Sequence, residues 1–89
     1  MKHIKRLQSP NLNQPLTAEI LGKAIRAKRT QSNLRLEDAA ALCGIAKQTL
    51  MKIEHGQATT QFVSILQTCA GLGIHLSIQP WNEEHDDWR

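Results

Sequence analysis

No apolar run in these 89 residues approaches the ~18 that a membrane-spanning helix needs, so a transmembrane segment is excluded. The opening "MKHIKRLQSP" has basic residues but no apolar core, so it does not read as a secretory leader, and a cytoplasmic protein is expected. Cysteine is scarce. Cys43 and Cys69 both sit at apolar-periodic positions, without a Cys or His nearby at metal-ligand spacing. That favours two reduced, buried thiols over a disulfide or a structural metal. There is no glycine-rich phosphate loop. His3, His55, His75 and His85 lie far apart, and none has a carboxylate or nucleophile at a spacing that assembles a site. Glu37 and Asp38 suit the positive end of a helix better than paired acid–base work. The sequence therefore predicts a binding protein rather than an enzyme, with no catalytic residues, cofactor or metal.

A chain of this length is one domain, small enough to be marginally stable alone. With disulfides and metals set aside, oligomerisation is the remaining source of added stability. The net charge of +3 is unevenly spread. Lys2, Lys5 and Arg6 make residues 1–16 basic, the body through residue 80 is also basic, and Glu83, Glu84, Asp86 and Asp87 make the end acidic. A basic body suits a polyanion, and an acidic tail suits a different partner.

Residues 1–16, with Pro10 and Pro15, read as a basic flexible arm. A first helix is expected from the N-cap Thr17 to about Thr30, with Leu16 and Leu21 at the spacing of a hydrophobic staple. Its inward side is Leu21, Ala24 and Ile25, and "QSN" ends it. A second, short helix fits Leu36–Cys43, with Ala39, Ala40 and Cys43 inward and Arg35 a poor N-cap. Gly44 stops it. A third helix follows Ala46, buries Leu50 and Ile53, and closes at Gly56. A fourth is expected from Thr59 or Thr60, with Phe62, Ile65, Leu66, Cys69 and Leu72 as one inward stripe, ending at Gly71 and Gly73. The period then changes: Ile74, Leu76 and Ile78 alternate with polar residues until Pro80. One strand cannot satisfy its backbone groups alone, so residues 74–80 are expected to pair with the same strand of a second copy. The alternative is a terminal segment lying on the core.

The third helix carries the most information. With Leu50 and Ile53 inward, Gln48, Lys52 and His55 fall nearly opposite, Met51 lies beside them, and Lys47 occupies the exposed first turn. Gln can bond adenine at two points, and Lys can reach guanine or a phosphate. Composition alone also allows a solvated face. The spacing decides between them: Ala40, then Gly44 four residues on, then Leu50 six further, is the packing pattern of a helix-turn-helix.

Over roughly residues 17–74 the chain resembles the Xre/Cro-type helix-turn-helix regulators. The residues that carry the resemblance are "LRLEDAAALCGIAKQTLMKIEHG" and "TTQFVSILQTCAGLGI". The resemblance implies an all-α, lambda-repressor-like bundle of four or five helices with one short C-terminal β-strand pairing across a dimer. It implies that the third helix enters the major groove, with Lys47, Gln48 and Lys52 reading bases and Thr49 contacting phosphate or base. It further implies an ion pair between Glu54 and Arg29. There are departures. Leu36 replaces a phosphate-binding glutamine, Arg35 replaces a capping threonine and could take over the phosphate contact, Ala46 replaces a serine or threonine, and Met51 would read thymine methyls.

The ends resemble HipB-type antitoxins, through the terminal strand, "TTQFVSILQ" and the tail "WNEEHDDWR". That resemblance implies a homodimer joined through Ile74, Leu76 and Ile78, binding a palindromic operator and a HipA-like serine/threonine kinase toxin. Trp81 and Trp88 become partner-binding candidates; the other reading of residues 81–89 is a solubilising acidic tail. Two alternatives to the antitoxin are a stand-alone Xre-family or phage-type repressor, and a protein-interaction module that has lost DNA readout.

Overall fold

The computed structural model describes residues 4–57 and 59–81, so Trp88 and the acidic residues from 82 onward lie outside the described residues. Four helices make up the described fold: α1 (Ala18–Gln31), α2 (Leu36–Cys43), α3 (Lys47–Glu54) and α4 (Phe62–Leu72). Thr17 caps α1, its hydroxyl oxygen accepting from the Ile20 amide at 3.1 Å. Leu21 is buried, but Leu16, expected to staple onto it, stays 62% exposed and faces a groove instead.

All four helices end the same way. The residue after the last turn takes a left-handed backbone, and the next amide reaches back to the carbonyl five residues earlier. Ile45 donates to Ala40 at 3.0 Å, Gln57 to Lys52 at 3.1 Å and Ile74 to Cys69 at 2.8 Å, past Gly44, Gly56 and Gly73 respectively. In α1 the left-handed residue is Asn33, with φ of 60°, and Leu34 donates to Arg29 at 3.1 Å. Asparagine tolerates this conformation better than most side chains. The α4 helix runs through Gly71, which sits against Cys43, and stops at Gly73 rather than at Gly71.

The core is Leu21, Ile25, Ala39, Ala40, Cys43, Leu50, Ile53, Cys69 and Leu72. Ala39 and Ala40 bring α2 close to its neighbours, and α2 and α4 pack together. Cys43 and Cys69 are both free and buried, and burial pushes both thiols up; the nearby Cys43 adds to the rise at Cys69.

Two expectations for α4 need correction. It begins at Phe62, not at Thr59 or Thr60, and Gln61 precedes it without a side-chain cap. The Thr60 hydroxyl turns back onto the Gln57 carbonyl instead of capping forward. The inward face is also rotated. Thr68, Cys69 and Leu72 are buried, while Phe62 is 67% and Leu66 44% exposed. Thr68 can be buried because its hydroxyl donates to the Ser64 carbonyl at 2.8 Å and so brings no unmet polar group with it.

Beyond α4, residues 74–80 carry no secondary structure in the single chain, and no strand occurs among the described residues. Ile74 packs on the core, while Leu76 is 38% and Ile78 86% exposed. At the other end, residues 7–16 return along α1. The Leu7 amide donates to Thr30 Oγ1 at 3.0 Å, and Gln31 Nε2 donates to the Leu7 carbonyl at 2.7 Å.

The α3 helix is fixed by its contact with α1. A Cβ on Gly22 would lie 2.5 Å from the Ile53 carbonyl oxygen and 2.8 Å from that of Glu54, so no larger residue fits without moving backbone. Arg29 Nε donates to Glu54 Oε2 at 2.6 Å, Nη2 to Oε1 at 3.0 Å, and Nη1 to the Leu34 carbonyl at 2.9 Å. This is the ion pair the resemblance implies. Its side chains are only 11% and 4% exposed, so the pair is largely removed from water.

Two substitutions test this joint. Glu54→Ala strands a buried guanidinium and should cost about 3–5 kcal/mol, read as a lower urea midpoint. Gly22→Ala should cost about 1–3 kcal/mol by overpacking, and a midpoint equal to the parent protein would show that α1 can slide to make room.

Candidate nucleic-acid interface

The α2–α3 unit is two eight-residue helices joined by Gly44, Ile45 and Ala46. Gly44, with φ of 72°, turns the chain sharply enough for α3 to cross the small residues of α2. Leu50 and Ile53 hold the inward side of α3 together with Glu54, leaving Lys47, Gln48, Met51 and Lys52 exposed.

The structure places Lys47, Gln48, Met51 and Lys52 on the exposed side, and Thr49 half-buried at its edge. Met51 is 39% exposed. His55 follows at the helix end, its Nδ1 2.7 Å from the Met51 carbonyl, an acceptor that requires the proton on that nitrogen. Arg35 stands apart from this row, ahead of α2, with Nε 3.8 Å from Asp38 Oδ2 and both side chains mostly exposed. An exposed pair at that distance holds Arg35 only weakly.

Electrostatics sets this face apart. The sole carboxylate of α3, Glu54, is turned inward onto Arg29, so the exposed side of α3 carries Lys47 and Lys52 with no acid among them. Neither α2 nor α3 has a side-chain N-cap, and Ala46 has no group that could provide one. The first turn of α3 therefore has no side-chain cap on its amides and carries a lysine, a combination that favours an anion at a helix start.

A small polar notch of ≈ 150 Å³ adjoins this face, lined by Thr49, Lys52, Thr59, Thr60, Gln61 and Ser64. It joins α3 to the uncapped start of α4. Sequence reasoning missed Thr59, Thr60, Gln61 and Ser64 as part of the surface, because it assigned the threonines to a helix cap. The available signal was the polar run between Gly56 and Phe62.

Of the remaining candidates, Ile74, Leu76 and Ile78 lie on the segment after α4, and Trp81, 68% exposed, is the last described residue. Among the described residues no group of three or more His, Cys, Asp or Glu side chains could hold a metal ion, and no helix is long and apolar enough to cross a membrane.

The model of the helix-turn-helix family matches residues 25–78, more than half of the chain. This chain belongs to the helix-turn-helix family. The match takes in the end of α1, the α2–α3 unit, α4 and most of the segment beyond it. A relative in Sinorhizobium fredii, the uncharacterized HTH-type transcriptional regulator y4mF, is 29% identical over 58 residues, covering 65% of this chain and 76% of that protein. Within the helix-turn-helix, α3 is the second helix of the pair, so the row of exposed polar side chains lies on the helix that such proteins put into DNA.

Proposed function

We infer that this chain is a sequence-specific DNA-binding transcriptional regulator, acting as a homodimeric repressor on a palindromic operator. The observation that carries the reading is the exposed face of α3, which has two lysines and a glutamine and whose only acid is withdrawn into an internal pair. In a major groove, Gln48 meets an adenine edge, Lys47 and Lys52 meet guanine or phosphate, and Met51 meets a thymine methyl. Arg35, Thr49 and the notch at the start of α4 supply phosphate contacts, which set position and most of the affinity. Two copies place their α3 helices about 34 Å apart, one turn of DNA. The dimer is favoured by the alternating Ile74, Leu76 and Ile78, which the single chain leaves without a strand partner.

Gln48→Ala should relax discrimination at one base position by about 1–3 kcal/mol and leave the salt dependence of binding nearly unchanged. Competition between operator and scrambled DNA at two salt concentrations reads both effects. An unchanged ratio of affinities would mean that Gln48 does not face the bases.

A second layer is the role of antitoxin to a HipA-like kinase toxin, with the repressor controlling its own operon. It is supported by the resemblance of the C-terminal segment and by the large exposed aromatic Trp81 ahead of an acidic stretch. A pull-down from the native host, with the full chain beside one ending at Pro80, tests it. Capture of a kinase by the full chain alone puts the contact in residues 81–89. Capture by both moves the contact to the body, and capture by neither leaves a stand-alone repressor.

A further inference from the structure

Gln48, Lys52 and His55 recur at i, i+4 and i+7 along α3, and the last of them has no part in the functional reading above. We propose that His55 is a further DNA contact, holding a backbone phosphate at the rim of the major groove through Nε2. The contact forms only with the doubly protonated ring. Binding DNA then takes up a proton, so the protein holds its target more tightly in acid. The proposal rests on DNA reading by α3 and adds a pH-linked phosphate contact at the end of that helix.

The ring is held in one tautomer. Nδ1 lies 2.7 Å from the Met51 carbonyl oxygen, which also accepts from the His55 backbone amide at 3.1 Å. A carbonyl only accepts, so Nδ1 carries the proton of the neutral ring and Nε2 carries a lone pair. The residue is exposed, and among the described residues Nε2 has no hydrogen-bond partner. A lone pair repels a phosphate oxygen. A second proton turns the same nitrogen into a charged donor, while the bond to Met51 keeps the ring from flipping.

Length along the helix puts this donor at the DNA backbone. His55 follows Gln48 by two turns, a rise of about 10 Å. The major groove is about 12 Å wide. When the first half of α3 meets base edges, as a recognition helix does, its last turn stands at the phosphates that border the groove.

The charges around the ring leave phosphate as its partner. On α3, Lys52 stands one turn earlier, and Glu54 is taken by Arg29. The α2 helix carries its acids, Glu37 and Asp38, in its first turn, and α4 has no Asp, Glu, Lys or Arg. The neighbouring acid is Glu19 of α1, whose Cα would stand 3.0 Å from a Cβ on Gly56. Among the described residues Glu19 makes no ion pair, and Lys23 and Arg26 follow it as exposed cations on α1. No carboxylate therefore holds the ring before DNA arrives, and the second proton comes from solvent on binding.

The probe is the duplex that the full chain selects from a random-sequence DNA pool, with affinity measured on either side of the usual histidine range, at about pH 5.5 and pH 8. Linkage is reciprocal, so a phosphate that tightens the proton's hold tenfold makes DNA bind about tenfold tighter in acid. The plot of log affinity against log salt should also steepen in acid by about 0.9, for one more phosphate neutralised. His55→Gln should remove both changes, and His55→Lys should bind at the higher pH as the parent does in acid. His75→Gln, on the segment after α4, should keep the parent profile. Urea midpoints of each variant at both pH values separate loss of the contact from loss of the fold. A parent affinity that stays flat or falls in acid overturns the contact, as does a profile that His55→Gln leaves intact; DNA reading stands in either case. Failure to select any duplex overturns DNA reading and this contact together.

Discussion

The contact between α1 and the end of α3 is a constraint of backbone against backbone. At Gly22 the Ile53 and Glu54 carbonyls come closer than any Cβ permits, and Arg29 then clasps Glu54 through two hydrogen bonds. The third guanidinium bond, to the Leu34 carbonyl, ties the same residue to the connection leading into α2. One side chain therefore links α1, the α1–α2 turn and α3. Burying a charged pair is not in itself a strong source of stability, but its geometry is demanding, which suits it to fixing one register of helices.

That joint also determines what α3 shows to solvent. With Glu54 engaged internally, the outward side of the helix is free of negative charge, and its electrostatic character follows from a packing decision made on the opposite side. Fold and candidate site are thus the same arrangement seen from two directions. The starts of α2, α3 and α4 differ from that of α1, since none has a hydrogen bond from its N-cap side chain, whereas Thr17 caps α1.

Much of this could be read in the residues. Gly44 announced the turn, Leu50 and Ile53 gave the facing of α3, and the pairing of Arg29 with Glu54 came through the family resemblance. What escaped was polar chemistry that satisfies itself locally. Thr68 and Thr30 are buried because their hydroxyls return to carbonyls of their own helices, and a hydrophobicity stripe has no way to register that. Missing Thr68 rotated the expected face of α4 toward Phe62 and Leu66. Missing Thr30 hid the anchor of the arm. Gly22 was equally silent, because a glycine inside a helix signals close approach only when the approaching backbone is known.

The outward positions of α3 are weakly constrained by the fold. Leu50, Ile53 and Glu54 carry the packing of that helix, while Lys47, Gln48, Met51 and Lys52 touch the rest of the molecule little. Such a division lets the two sets of positions drift separately in a lineage. The outward set can change at small cost to folding, because surface substitutions away from caps and buried pairs usually move stability by only about ±0.5 kcal/mol. The scaffold is therefore a chassis whose outward face can be rewritten by a few substitutions, without the core having to change with it.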